Sequence, residues 1–355
     1  MFHFSLGLKY SHILSMLAQA HSIIISLSTL KRILRVNRLH RRKNYSDLLR
    51  VVLFIENKLN VTGGQVGGYR WLHLQCRHNG LNISRHTVQT LLQILDPVGV
   101  QLRLSKRLKR RQYYAKGPNY LWHLDSDDKL KRYGLCINGC MDRFSRCIIW
   151  LNVFQTSNDP KVIAGYFIES VRERKGCPFL MRGYRCTENE HVAHMQYFMT
   201  ERKSFIYGRS TANQRIEMFW NLVRKQCVQS WMDVLGSLAD DGMFDGYFLD
   251  KCLIQFCFLH VLQEDLDEMS KTCNTHQIRP TKNQNCPHVR PLVMYSLPAL
   301  YGTNNYLHEV SEHMMNACAG ECRFRGGIIC DEDIAEHVRE LLAPRIGSPR
   351  SRTAL

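Results

Sequence analysis

The stretch from Tyr120 to Gln155 limits the fold of this chain more than any other part of its sequence. Three short runs rich in apolar and β-branched residues follow one another here: YLWHLDS, YGLCINGCMD and SRCIIWLNVFQ. Runs of this length with brief polar breaks between them are typical of neighbouring antiparallel strands. We therefore predict a three-stranded antiparallel meander at this point.

Helices and strands alternate after the meander. The sequence predicts a helix at about 158–173, a strand in PFLMRGY, a helix from Thr187, a short strand near Phe205 and Ile206, and then another helix. A meander followed by alternating strands and helices indicates an α/β domain in which helices cover the sheet.

The last of these helices carries a carboxylate beside its apolar stripe. Ser210 is a plausible N-cap, and the stripe consists of Ile216, Trp220 and Val223. Glu217 flanks the stripe, where it could point into a cleft or simply face solvent. A second carboxylate, Asp125, lies in the first predicted strand, directly after WHL.

Five motifs resemble one known family over nearly the whole chain: GPNYLWHLDSDDKLKRYG, MDRFSRCIIWL, RGYRCTEN, STANQRIE and NTHQIRP. They resemble the catalytic core of the DDE recombinases, which are the retroviral integrases and their transposase relatives, and closely the integrase core domain proteins of animal genomes. The resemblance implies a ribonuclease H-like core. In that fold Asp125 would lie on the central strand, a second Asp at the end of the fourth strand, and Glu217 on the helix that follows.

The resemblance also implies a chemistry, in which two Mg²⁺ or Mn²⁺ ions about 4 Å apart drive an in-line phosphoryl transfer. Asp125 and Glu217 match the family's catalytic, metal-binding positions, but Tyr184 stands where the second Asp is expected. A phenol with an ordinary pKa near 10 is a poor ligand for a hard divalent cation at neutral pH. We therefore expect impaired catalysis, with an active enzyme as the alternative if another carboxylate replaces the missing one. The candidates for that replacement are Asp142, Glu188 and Glu190.

All the excess charge of the chain precedes the predicted core. The net charge is +17, and residues 1–116 hold 20 lysines and arginines against three acidic residues, so the remainder is neutral. A phosphate backbone is the natural partner of such a surface. A soluble basic surface without a partner is the alternative interpretation.

The basic N-terminal part contains two predicted helix-turn-helix units, at 1–45 and 46–100, and a basic linker at 101–117. Helical hairpins without DNA-binding activity would show the same periodicity. In the first unit we expect Leu30, Ile33 and Leu34 to face inward. The second ends in a helix that is capped by Ser84 and exposes Arg85. The predicted DNA-binding residues are Lys31, Arg32, Arg35, Arg41, Arg42, Lys43, Arg85, Lys106, Arg107, Lys109, Arg110 and Arg111.

The core is predicted to span 118–233 and to be followed by a helical C-terminal extension at 234–297 and a poorly patterned region with a tail at 298–355. His276 and Arg279 of NTHQIRP could contact a phosphate, although a structural histidine fits equally well. The fourteen cysteines are dispersed, which favours reduced thiols over disulfides. The spacing of the C-terminal cysteines fits no common zinc site.

Together these patterns predict an integrase-like protein that binds double-stranded DNA, without a leader or a membrane span. It is a candidate for a homo-oligomer, and a nuclear localisation is expected, since the basic linker could also serve as a localisation signal. A DNA-binding regulator that uses its core as an oligomerisation scaffold is a third interpretation.

Overall fold

A computed structural model describes residues 2–41, 43–61, 68–105, 115–208, 214–278, 289–326 and 330–342. Its strands are β1 (Leu121–Asp127), β2 (Cys136–Asp142), β3 (Ile148–Phe154), β4 (Gly176–Cys177), β5 (Leu180–Gly183), β6 (Phe205–Tyr207) and β7 (His308–Glu309). Five of them form one mixed sheet in the order β3-β2-β1-β5-β6. β4 and β7 pair separately as a short antiparallel ribbon.

The predicted meander is present, because β1, β2 and β3 pair antiparallel in sequence order. β5 then pairs parallel to β1, and β6 pairs parallel to β5. β1 is consequently the central strand, with β2 on one side and β5 on the other. A catalytic residue on β1 can therefore meet a residue that follows β5.

The helices of the first hundred residues are α1 (Phe2–Ser5), α2 (Tyr10–His21), α3 (Leu27–Val36), α4 (Leu48–Val61), α5 (Tyr69–His78), α6 (Arg85–Leu95) and α7 (Pro97–Ser105). Ser26 and Ser84 cap α3 and α6, each accepting a hydrogen bond from the backbone N–H three residues later. α7 was not predicted, and it begins at a proline, as the first turn of a helix allows.

The prediction that Ile33 of α3 faces inward is wrong. Leu30 and Leu34 are each 5% exposed, whereas Ile33 is 43% exposed. Two residues one position apart project about 100° from each other on a helix, so a helix with one narrow contact buries only one of the pair. α3 makes such a narrow contact, and its remaining surface is open to solvent.

The later helices are α8 (Pro160–Arg174), α9 (Glu190–Thr200), α10 (Gln214–Val223), α11 (Gln229–Asp240), α12 (Phe248–Thr275), α13 (Pro291–Ser296), α14 (Glu312–Ala319) and α15 (Glu332–Leu342). A π-helical turn over Arg224–Val228 joins α10 to α11. The helices cover both faces of the sheet. α10, α11 and α12 share one apolar core with it, and α8 and α9 share another.

The N-terminal helices do not bury their apolar residues only among themselves. α1, α2 and α3 share a core with Val293 of α13 and with Leu297, which come much later in the chain. Trp71 of α5 belongs to the core under α10 and α12. α4, α5 and α6 also have a small core of their own. The predicted domain boundaries at 45 and 100 remain predictions, as does a helix-turn-helix function for these helices.

No helix among the described residues combines the length and the apolar content that a membrane crossing requires.

Candidate active site and basic surface

Asp125 lies in the middle of β1, opposite Gly139 of β2. Its side chain is held from the neighbouring helix, because the indole Nε1 of Trp220 on α10 donates a hydrogen bond of 3.1 Å to its Oδ2 atom. Trp220 belongs to the apolar stripe of α10, with Ile216 and Val223, and all three are buried. The stripe that fixes α10 on the sheet thus also orients the carboxylate of Asp125.

Gly139 makes room for this contact. A Cβ atom at that position would lie 2.9 Å from the Cη2 atom of Trp220 and 3.3 Å from a methyl of Leu151. The first distance is shorter than real Cβ contacts allow. The glycine opposite Asp125 therefore lets the indole ring approach the strand closely enough to reach the carboxylate.

The carboxyl group of Asp125 is harder to ionise than an ordinary one. Its pKa is raised from 3.8 to about 6, chiefly by burial and also by the charges of Glu217 and Asp127, while the hydrogen bond from Trp220 acts in the opposite direction. Glu217 is half-buried on α10 and close enough to Asp125 for this repulsion. The structure thus places the charge of Glu217 within electrostatic range of Asp125, but Glu217 does not line the cleft beside Asp125.

Tyr184 follows the end of β5 and lines the same cleft as Asp125. The cleft has a volume of about 280 Å³, and its lining includes Asp125, Asp128, Tyr184, Cys186 and Glu188. Tyr184 is 55% exposed, and its backbone carbonyl accepts a hydrogen bond from the Asn189 side chain. The position where an Asp was expected therefore does face the site, but with a solvent-exposed phenol.

Asp142 cannot replace the missing carboxylate. It is fully buried on β2, three residues after Gly139, the residue that pairs with Asp125. It accepts hydrogen bonds from the N–H of Asn119, the N–H of Ser145 and the hydroxyl of Ser145. Those donors occupy both of its oxygens and hold it outside the cleft.

Glu188 and Glu190 differ in their access to the cleft. Glu190 is exposed at the start of α9 and is not a cleft residue. Glu188 lines the cleft, where burial raises its pKa, and its Oε2 lies 3.6 Å from the thiol of Cys186. It is the one of the three alternatives whose position suits a role beside Asp125.

The carboxylates do not form a metal centre as they stand. Within the part of the chain that the structure describes, no three His, Cys, Asp or Glu side chains converge closely enough to hold a metal ion. Asp127, two residues further along β1, is buried but already paired with Lys129 Nζ at 3.0 Å. The residues present therefore do not fit a site for two ions.

A family model, the integrase core domain, matches residues 112–295, which is just over half of the chain. This protein belongs to the integrase core domain family. The family implies a ribonuclease H-like fold, with which the five-stranded mixed sheet agrees. The comparison with curated proteins found no match.

The predicted DNA-binding residues of this integrase core domain protein fall into three groups. Exposed ones are Lys31, Arg32 and Arg35 on α3, Lys43, and Arg85 at the start of α6. Those that lie outside the described residues are Arg42, Lys106, Arg107, Lys109, Arg110 and Arg111. Arg41 forms the third group, because its guanidinium stacks on the rings of Phe4 and Tyr10 and donates to the Leu8 carbonyl. These contacts hold α1 and α2 together, so Arg41 has a structural role.

A second cavity lies where the N-terminal helices meet the integrase core. Its volume is about 210 Å³, and the four arginines that line it are Arg70, Arg77, Arg85 and Arg290. We call it the arginine pocket. Of the four, only Arg85 was predicted to be functional. Only the tertiary fold brings together residues so far apart in sequence. The basic composition of residues 1–116 is the sole local signal for Arg70, Arg77 and Arg85, and no local signal marks Arg290.

Proposed function

We propose that this integrase core domain protein binds double-stranded DNA and is impaired in DNA strand transfer. The observation that carries the proposal is the exposed phenol of Tyr184 in the cleft of Asp125, at the position of the family's second Asp. A descent from a mobile element and a nuclear localisation belong to the same proposal.

The impairment follows from the ligands that remain. Asp125 and Glu217 could share one divalent cation, but a second ion would lack a carboxylate of its own, and a neutral phenol does not supply it. Losing one ligand of a two-ion site removes several kcal/mol of transition-state stabilisation, and each 1.4 kcal/mol or so is a factor of ten in rate.

DNA binding is supported by the distribution of charge. The first 116 residues hold the entire net charge of +17. Lys31, Arg32 and Arg35 lie exposed on one short helix, α3, whose apolar residues Leu30 and Leu34 face the core. Cations presented in this way can contact successive phosphates of a duplex.

The chemistry is tested by a strand-transfer assay on end-bearing duplex DNA, with Mg²⁺ or Mn²⁺. We expect weak or no joining by the unchanged protein, and a gain in nicking or joining by Tyr184→Asp. Adding Asp125→Ala or Glu217→Ala should abolish that gain. Tyr197→Asp is the matched control, since Tyr197 is 57% exposed on α9 and does not line the cleft.

Two outcomes would contradict this part of the proposal. Strong joining by the unchanged protein that requires Asp125 and Glu217 would mean that a third group completes the site. Glu188→Gln would then be expected to abolish joining. Activity of Tyr184→Asp that ignores Asp125 and Glu217 would exclude the site altogether.

DNA binding is tested on the full chain, because α1, α2 and α3 share a core with α13. Changing Lys31, Arg32 and Arg35 to Glu should lower duplex affinity and reduce the slope of log K against log salt by about three, one unit for each phosphate contact. The same change at Lys203, Arg224 and Lys225, which are exposed on the integrase core, is the control. Equal losses of duplex affinity in both variants would refute the proposal that α3 contacts DNA.

A further inference from the structure

The arginine pocket joins three parts of the chain. Gly7 comes from the turn after α1, Arg70, Arg77 and Arg85 from α5 and α6, and Arg290 from the segment before α13. Residues 275–278, at the end of α12, complete the wall. The pocket is therefore a product of the docking between the N-terminal helices and the core.

Two of the arginines are held rigidly. Arg290 is only 7% exposed, and its guanidinium donates to the carbonyls of Leu6 at 3.1 Å, Gly7 at 2.7 Å and Thr275. Arg77 donates to the carbonyl of Phe4 at 3.1 Å. These acceptors satisfy hydrogen bonds, but because they are neutral they leave the positive charge uncompensated.

The charges repel one another. The pKa of Arg290 is lowered to about 10, chiefly by burial and also by the nearby charges of Arg85, Arg77 and Arg41. Burial likewise lowers the pKa of Arg77 to about 10, with Arg41 and Arg85 acting in the same direction. Among the described residues that line the pocket there is no Asp or Glu. Buried charges in proteins are normally paired, so this cluster lacks the anion that would balance it.

The other two arginines stand at the opening. Arg85 is exposed at the first position of α6, directly after the Ser84 cap. Arg70 lies in the first turn of α5 and donates from Nε to the hydroxyl of Tyr69 at 3.1 Å. Guanidinium groups are planar donors whose geometry matches a tetrahedral oxyanion. The starts of two helices beside them add a positive dipole field.

We propose that the arginine pocket binds a phosphate group. The phosphate could belong to a DNA backbone or to a free phosphate compound, and both present the same oxygens. The proposal does not depend on the proposed function, because a free phosphate would satisfy the pocket even if the protein bound no DNA. With a volume of about 210 Å³, the pocket has room for the phosphate group and several waters.

The probe for a free phosphate is inorganic pyrophosphate, titrated into the full chain by calorimetry at constant ionic strength. The test variant is Arg70→Ala with Arg85→Ala, which spares the two arginines that hold the N-terminal turn. The control is Arg50→Ala, an exposed arginine of α4 outside the pocket. We expect saturable binding that weakens about tenfold or more in the test variant and stays unchanged in the control.

The second arm measures duplex DNA binding by the same proteins as salt is varied. If the pocket takes a backbone phosphate, the test variant should reduce the slope of log K against log salt by about two and the control by less. A loss specific to the test variant in either arm supports the proposal and identifies the source of the phosphate. The proposal is overturned if neither arm distinguishes the two variants. Failure of the unchanged protein to bind DNA, with pyrophosphate binding intact, would refute the proposed function alone.

Discussion

Replacing Asp125 by Asn should stabilise this protein at neutral pH. The carboxylate lies in the middle of β1, partly buried and repelled by Glu217, so its ionised form is disfavoured in the folded chain. Asparagine has nearly the same shape, carries no charge, and keeps an oxygen that can accept the hydrogen bond from Trp220. The substitution thus removes the unfavourable charge while retaining the contact with α10.

The magnitude follows from the pKa of Asp125, which is about 6 in the folded protein against an ordinary 3.8. Between these pH values the folded chain holds a proton that the unfolded chain has released, so the free energy of unfolding falls as the pH rises. The penalty is complete above about pH 6 and absent below about pH 4. A shift of two units corresponds to about 3 kcal/mol at most, and partial solvent screening reduces it to about 2 kcal/mol.

The assay is urea denaturation followed by tryptophan fluorescence at pH 4 and pH 7.5. Asp125→Asn should match the unchanged protein at pH 4 and exceed it at pH 7.5 by about 2 kcal/mol. Asp127→Asn is the control, since Asp127 is buried but paired with Lys129. Neutralising it should lower stability by about 1 kcal/mol.

The reasoning fails if Asp125→Asn is neutral or destabilising at pH 7.5, or if it stabilises equally at both pH values. Either result would mean that the burial of Asp125 and its repulsion by Glu217 do not limit stability. Such a result would also remove the main reason to think that Asp125 serves function while it lowers the stability of the folded protein.

Two further changes test contacts described above. Gly139→Ala should lower the free energy of unfolding by about 1–3 kcal/mol, because the new methyl displaces the Trp220 ring. It should also raise the pKa of Asp125 above about 6, because the displaced indole stabilises the ionised carboxylate less. The same denaturation series at several pH values measures both effects. Arg290→Met should leave the backbone carbonyls around the arginine pocket unpaired and speed amide hydrogen exchange over residues 2–41, while slow exchange there would count against the contact.

Local patterns in the sequence were enough to predict the sheet and several helix ends. Apolar β-branched runs with turns between them predicted β1, β2 and β3, and Ser84 caps α6 as expected. The match of motifs placed Asp125 and Glu217 near each other, and the charge of Glu217 does act on Asp125. These features depend on residues close in sequence or on a motif shared with a family.

Features that depend on distant residues could not be predicted in this way. Periodicity alone predicted that Ile33 faces inward, but this residue is exposed. The pattern does not show how wide a contact the helix makes with its neighbours. The arginine pocket needs Arg77 and Arg290 to approach through the docking of α5 against the segment before α13. No local pattern marks such a meeting. The hydrogen bond from Trp220 to Asp125 was missed for the same reason, because an apolar stripe does not reveal what an indole N–H contacts.

The shared core of the N-terminal helices and α13 has a consequence for the order in which this chain can fold on the ribosome. Residues 2–41 are made first, but part of the apolar surface that they bury against, at Val293 and Leu297, is made roughly 250 residues later. At about 5–20 residues per second, the earliest helices wait for roughly 12–50 s before their partners emerge. During that time their apolar faces are open to other chains and to chaperones, and nascent chains that end before α13 should be the species most prone to aggregate.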